Sequence, residues 1–137
     1  MINLKETLLY LEGFTDNEYL DKYVRLIERN SRSSPSKVNI NKHHIIPKSW
    51  FKLNNCEVNN DPSNLVTLTY REHVLAHYYL CLCTVNKLQY ANELALMCLI
   101  SRKRLNKQNR QLIESLPLYD NIYQDYLKKK SSNYKLY

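Results

Sequence analysis

The chain is predicted to be an α+β protein that is mainly helical, and two observations lead to this prediction. Apolar residues repeat with helical spacing over most of the first 30 residues and again over most of residues 86–130. Between these regions lie two short runs of β-prone residues, followed at once by a further helical pattern. A hydrophobic content of 44% in 137 residues fits one globular domain with a modest core.

The first 30 residues are predicted to form a pair of helices. Leucines at helical spacing indicate a helix within residues 3–12, and Gly13, the single glycine of the chain, is placed to end it. The four residues that begin at Thr15 match a capping box, so we expect a second helix over roughly residues 16–29. A serine-rich stretch, residues 30–37, is predicted to be a loop.

Two strands and their connection come next. Residues 39–46 are rich in β-branched side chains and are ended by Pro47, which indicates a short strand. Residues 65–69 are predicted to be the second strand. The connection, residues 47–63, is predicted to be a loop anchored by Trp50, Phe51 and Leu53.

Helices are predicted for the rest of the chain. Residues 71–83 have one apolar face, and Thr69 and Glu72 are placed as a reciprocal capping pair at the start. A strongly apolar helix is expected over residues 87–104. A short helix over 108–115 and a last helix over 119–130 follow, separated by Pro117.

Charge and cysteine content restrict the class of protein. The net charge of +7 and a pI near 9.2 favour an acidic partner such as a polyphosphate backbone, although a basic protein without such a partner has the same composition. The 4 cysteines form no C-x-x-C pair, so we expect no zinc knuckle, no disulfides and a reducing compartment. No apolar run reaches the length of a membrane span and no signal peptide is evident, so a cytoplasmic protein is expected.

All 4 histidines of the chain fall within residues 43–77. His73 and His77 lie four apart on a predicted helix, so both project from one face and can bind one cation. His43 and His44 are neighbours on a predicted strand and should face opposite sides. One of these two can bind metal while the other faces a substrate, provided that the strand ends there. The alternative is a set of unrelated core, surface and capping histidines, which leaves their clustering unexplained.

The order of these elements resembles that of the HNH endonucleases, and most of all the small HNH nucleases common in phage genomes. The resemblance is carried by three runs, which are H-H-I-I-P from residue 43, N-L-V-T-L from residue 64, and the pairs E-H and A-H that end at residues 73 and 77. It covers roughly residues 38–85. It implies a ββα-metal core, formed by a short antiparallel hairpin plus a metal-binding helix. Helices in residues 1–30 and 86–130 would flank this core within a single domain, residues 1–137.

The resemblance assigns a role to each motif residue. It implies that His43, His73 and His77 bind one metal ion, that His44 is the general base, and that Asn64 braces the loop and helps to orient the base. Many members have aspartate in place of His43, which leaves the preferred ion open. Many phage members also carry glycines after the motif proline. Here asparagines are expected to supply the unusual backbone conformations, and they are Asn54, Asn55, Asn59 and Asn60.

The implied activity is metal-dependent hydrolysis of phosphodiester bonds in DNA by a monomer or a homodimer. Three nitrogen ligands suit zinc, nickel, cobalt or manganese better than magnesium, which favours oxygen. The candidate phosphate contacts near the motif are Lys42, Lys48, Lys52 and Arg71. One alternative is a non-catalytic nucleic-acid-binding module that a metal ion stabilises. Another is a nuclease domain that acts on RNA or as a toxin.

Overall fold

The computed structural model describes residues 3–32, 40–102 and 107–137. Within these ranges the chain is mainly helical with one two-stranded antiparallel sheet, which confirms the predicted fold class. The strands pair in register from Ile40 opposite Thr69 to His44 opposite Leu65. In chain order the elements are α1 (Leu4–Tyr10), α2 (Glu18–Ser31), β1 (Ile40–His44), α3 (Lys48–Leu53), a 3₁₀ turn (Pro62–Asn64), β2 (Leu65–Thr69), α4 (Tyr70–Cys83), α5 (Asn86–Arg102), α6 (Lys107–Glu114) and α7 (Tyr119–Ser131).

Both helices of the N-terminal pair are present, but their predicted end signals were wrong. Helix α1 ends at Tyr10, and Gly13 lies beyond it with φ of 101° against Leu88 of α5. Helix α2 is capped by Asn17, whose side-chain oxygen accepts from the two backbone amides that follow the first helical residue. Thr15 does not cap this helix, because it lies two residues before the cap Asn17; its backbone amide donates to the carbonyl of Cys83 in a tertiary contact.

The connection after β1 contains a helix where a loop was predicted. Helix α3 begins directly after Pro47, and Phe51 is its buried residue. The asparagine prediction holds for Asn55, which has φ of 56°. It was wrong for the other three asparagines of this connection, none of which has positive φ.

Helix α4 is the central element of the described fold. The predicted capping box at its start is present, with both hydrogen bonds between Thr69 and Glu72 formed. One side of the helix packs, through Ala76 and Leu80, into a core with α1, α2, β2 and the residues that directly follow β1. Another side packs into a second core with α5, α6 and α7, through Val74 and Tyr78. A histidine on this helix is therefore held by packing from both halves of the chain.

The C-terminal helices are present as predicted, and a buried ion pair attaches α7 to α5. The Lys129 ammonium lies 3.1 Å from a Glu93 carboxylate oxygen and 2.8 Å from one of Asp125. Residues 33–39 and 103–106 lie outside the described residues, and they include part of the predicted serine-rich loop, the first residue of the first predicted strand and the end of the helix predicted over residues 87–104. Within the described ranges, no helix combines the length and the apolar character that crossing a bilayer requires.

Candidate metal centre

Strand β1 delivers two adjacent histidines to one cleft. Asn41 and His43 lie two residues apart and so share a face of the strand, and His43 is only 3% exposed. The strand ends at His44, which is partly exposed. Because the chain leaves the sheet at this point, neighbouring histidines can line the same cleft, and both of them do.

Helix α4 contributes the other two histidines from its first two turns. His73 and His77 lie one turn apart, and their Nε2 atoms are separated by 3.2 Å. The ring of His43 lies 5.2 Å from that of His73 and 5.1 Å from that of His77, measured between centroids. One ligand nitrogen from each of these three residues lies within 4.8 Å of the others. We call this group, His43, His73 and His77, the histidine cluster, and it can hold a metal ion.

Burial keeps the histidine cluster neutral at physiological pH. It lowers the pKa of His73 from 6.5 to about 4, and it lowers that of His77 to about 3 together with the charge of His73. The pKa of His43 is held well below 6.5, first by burial and then by the charges of the other histidines. Neutral imidazole is the form that binds metal, because protonation removes the lone pair. The cluster therefore does not have to lose protons before it binds a cation.

A hydrogen bond from α2 determines which nitrogen of His43 is available. The Tyr23 hydroxyl lies 2.7 Å from the carbonyl oxygen of Ile45 and 2.8 Å from His43 Nε2. The carbonyl can only accept, so it takes the single hydroxyl proton. His43 Nε2 must then carry a hydrogen and donate it to the Tyr23 oxygen. The lone pair of this ring is left on Nδ1.

The tautomer of His73 follows from the same reasoning. Its Nδ1 lies 3.0 Å from the side-chain oxygen of Asn41, which can only accept. The lone pair is therefore on Nε2, the atom that approaches His77 at 3.2 Å. This separation is close to the roughly 3.3 Å expected between two nitrogens bound tetrahedrally at about 2.05 Å from one zinc ion.

His77 differs from the other two rings of the cluster at its second nitrogen. Its Nδ1 is the buried side-chain nitrogen or oxygen that lacks a hydrogen-bond partner in the described part of the chain. Such unsatisfied buried polar atoms are costly and rare in native proteins. What indicates a cation is instead the convergence of three neutral histidines, a set that fits a borderline divalent ion such as zinc, nickel or manganese.

His44 lies outside the histidine cluster and has its own partner. Its Nε2 lies 2.8 Å from the side-chain oxygen of Asn60, which can only accept. Nε2 therefore carries the hydrogen and Nδ1 carries the lone pair. A histidine in this state has a free basic nitrogen, and it lines the same cleft as the cluster.

Asn64 ties the end of β1 to the loop that precedes β2. It is 4% exposed, its side-chain oxygen accepts from the Ile46 amide at 2.8 Å, and its side-chain nitrogen donates to the carbonyl of Asn59 at 3.0 Å. These bonds suit the predicted bracing role. The His44 ring itself donates to Asn60 and not to Asn64.

Cationic side chains surround the cleft, which has a volume of about 380 Å³. Three of the four lysine and arginine residues expected to contact phosphate line it, namely Lys42, Lys48 and Lys52. The fourth, Arg71, lies instead in a separate groove with Tyr19 and Lys22. Among the described lining residues there is no aspartate or glutamate, so the cleft is suited to an anion.

Sequence patterns did not identify the partners of the rings, which are Tyr23, Asn41 and Asn60. Tyr23 was not among the predicted site residues, and Asn60 was expected only to supply an unusual backbone conformation in the connection between the strands. Neither has a motif of its own, and the contacts appear only when distant segments are brought together.

Comparison with known proteins found no matching protein-family model, curated protein or solved structure.

Proposed function

We propose that this protein is a metal-dependent endonuclease of the HNH type, which hydrolyses phosphodiester bonds of DNA. One observation supports this most strongly. Three neutral histidines converge in a lysine-lined cleft, and a fourth histidine in that cleft keeps a free basic nitrogen. Three metal ligands beside one separate base is the inventory that such a hydrolysis needs.

The histidine cluster would hold one divalent ion, with zinc, nickel, manganese and magnesium as the candidates. When bound, the ion would supply positive charge next to the phosphoryl oxygens and the leaving oxygen. Structural metal sites are normally closed by four protein ligands, whereas catalytic sites keep positions open. The fourth histidine here is hydrogen-bonded to Asn60 instead of joining the cluster. This favours the catalytic function over a binding module whose metal ion only stabilises the fold.

His44 is proposed to activate water. Its Nδ1 takes one proton as the water oxygen bonds to phosphorus, and the bond from phosphorus to the 3′ oxygen breaks. The 3′ oxygen takes a proton from solvent water, and His44 later returns its proton to solvent, so the products are a 5′-phosphate and a 3′-hydroxyl. Asn60 keeps the His44 ring in the required tautomer through its hydrogen bond to Nε2.

The lysines of the cleft support a nucleic acid as the substrate. Lys42, Lys48 and Lys52 lie around the histidines on β1 and α3, and the chain as a whole carries a net charge of +7. Such cations contact phosphates of either DNA or RNA without reading the base sequence. DNA is the proposed substrate because the motif resembles that of DNA endonucleases, and RNA is tested beside it.

The test is cleavage of supercoiled plasmid by wild type, His44→Ala and His73→Ala after removal of metal with a chelator. Magnesium, manganese, nickel and zinc are then added separately. We expect wild type to cut with at least one ion. His44→Ala should keep its metal content and lose at least about 100-fold in rate, since general bases contribute roughly 10²–10⁴-fold. His73→Ala should lose metal.

Four results would contradict the proposal or part of it. Cleavage retained by His44→Ala removes the base assignment, and unchanged metal content of His73→Ala removes that residue from the site. If wild type binds DNA and metal but cuts neither plasmid nor single-stranded DNA nor RNA with any ion, the protein is a binding module. Cleavage of RNA alone would establish a ribonuclease in place of a deoxyribonuclease.

A further inference from the structure

We propose that Tyr23 is a positioning residue of the metal centre, which locks His43 in the tautomer that presents Nδ1 to the cation. This inference rests on the metal-binding part of the proposed function. It adds a residue from α2, outside the segment that resembles HNH nucleases, to the machinery of the site. It also specifies the atom through which His43 binds.

The first step is the proton balance at the Tyr23 hydroxyl. This group has one proton and two neighbours within hydrogen-bond distance, at 2.7 Å and 2.8 Å. The Ile45 carbonyl accepts and has no hydrogen to give, so the proton points there. Of the two neighbours, only His43 Nε2 can donate to the hydroxyl oxygen. The hydroxyl thus excludes the tautomer in which Nε2 has the lone pair.

The second step is the rigidity of the contact. Tyr23 is 0% exposed and His43 is 3% exposed, so the hydroxyl and the ring are both shielded from bulk water. The two rings meet edge to face, with centroids 5.9 Å apart and an angle of 73° between their planes. Tyr23 is fixed among core residues of α2 such as Leu20 and Ile27. A partner in such surroundings holds the ring in one orientation as well as in one tautomer.

The third step is the placement of the two bonds along the chain. The hydroxyl contacts the ring of His43 and the backbone of Ile45, so it spans the residue between them, His44. One side chain therefore fixes the ring of the proposed ligand on one side of the proposed base and the backbone on its other side. Groups that orient a metal-bound histidine through its second nitrogen typically affect metal affinity by about 10–100-fold when removed.

The experiment compares wild type with Tyr23→Phe and with Tyr78→Phe as the matched control. Tyr78 is also a buried tyrosine on a core helix, but its hydroxyl accepts from the backbone amide of Leu118, away from the histidines. Long-range ¹H–¹⁵N spectra of the metal-free proteins identify the protonated nitrogen of each ring. Zinc and cobalt affinities are measured by competition with a chromophoric chelator.

We expect His43 of wild type to carry its hydrogen on Nε2 and Tyr23→Phe to show a mixture of tautomers. Zinc affinity should fall about 10–100-fold in Tyr23→Phe and less than about 3-fold in Tyr78→Phe, where no ligand contact is lost. The inference is overturned if wild-type His43 is protonated on Nδ1, or if Tyr23→Phe binds zinc as tightly as wild type. The wild-type spectrum decides the first point even where a variant folds poorly.

The same measurements separate this inference from the proposed function. If wild type binds neither zinc nor cobalt and also cuts nucleic acid with none of the four ions of the cleavage test, the proposed metal-dependent activity fails, and the positioning role that depends on it is overturned as well. If wild type binds both ions but Tyr23→Phe is indistinguishable from it in tautomer and affinity, only the role of Tyr23 is wrong.

Discussion

Replacing Asn64 by alanine should cost more stability than the loss of an ordinary buried amide. Its side chain makes three hydrogen bonds to the backbone, accepting from the Ile46 amide at 2.8 Å and donating to the carbonyls of Ile46 at 3.3 Å and Asn59 at 3.0 Å. Asn64 is 4% exposed, so water cannot fully replace these bonds in the variant. The loss affects the loop that leads from β1 into α3.

The magnitude follows from the number of bonds. A neutral hydrogen bond contributes a net amount of about 0.5–1.5 kcal/mol, and a buried donor left without a partner costs about 1–3 kcal/mol. The bond at 3.3 Å is long and is counted at the low end. The expected decrease in the free energy of unfolding is therefore about 2–4 kcal/mol. A domain of ordinary stability, about 5–15 kcal/mol, still folds after such a loss.

Urea unfolding of the metal-free protein measures this decrease, with Asn54→Ala as the control. Asn54 is also a partly buried loop asparagine, but its side chain donates a single bond, to the carbonyl of Trp50 at 2.8 Å. We expect the control to lose about 0.5–1.5 kcal/mol. Asn64→Asp should lose at least as much as Asn64→Ala, because its carboxylate keeps an acceptor for the Ile46 amide but places a buried negative charge against the carbonyl oxygens of Ile46 and Asn59. Equal losses for Asn64→Ala and Asn54→Ala would refute the bracing role.

Two further predictions concern pH and the backbone. As the pH falls below 6.5, the histidines of the cluster take up protons in the unfolded chain but not in the folded protein, because burial lowers the pKa of each ring. The free energy of unfolding should therefore decrease, by at most about 1.4 kcal/mol per pH unit for each ring. Burial and the neighbouring Asp125 raise the pKa of Glu93 to about 8, and this shift has the opposite effect on stability as the pH falls. Urea titrations at pH 7 and pH 5 should therefore compare wild type with His73→Asn, which should lose less stability between the two pH values. An equal loss of stability in both proteins would exclude the histidine cluster as the origin of the decrease. Gly13→Ala should lower the free energy of unfolding by about 1–3 kcal/mol, because φ of Gly13 is 101° and the added Cβ atom would lie 2.9 Å from Leu88 Cδ2. An unchanged midpoint of urea unfolding would contradict this prediction.

The elements predicted correctly are those whose signals are local and redundant. Helix α4 has a capping box, an apolar face and a preceding strand, and all three signals agree. The errors arose where a single local signal competed with a tertiary contact. Thr15 matched a capping box, but its amide pairs with Cys83, and the amides at the start of α2 bond to Asn17. Helix α3 was missed because six residues are too few to show a helical period.

The same distinction between local signals and tertiary contacts applies to the candidate site. The histidines could be grouped from the sequence because the spacing on α4 and the order of hairpin and helix limit where they can lie. Their hydrogen-bond partners could not be found, because the pairs His43–Tyr23, His73–Asn41 and His44–Asn60 span 20, 32 and 16 residues. No periodic or capping pattern specifies a contact between side chains on separate elements.

The chemical nature of these partners bears on the charge of the proposed site. Metal-bound histidines are often hydrogen-bonded to carboxylates, which return negative charge to the metal. Here the partners of the cluster are a hydroxyl, from Tyr23, and an amide, from Asn41, and the partner of His44 is the amide of Asn60; all three are neutral. Neutral imidazoles and neutral partners leave the charge of a bound cation uncompensated, and the lysines of the cleft add to it. Such a site attracts a polyanion more strongly than a carboxylate-rich site does. The hydrogen-bond partners and the lysines thus favour the same class of substrate, a phosphodiester backbone.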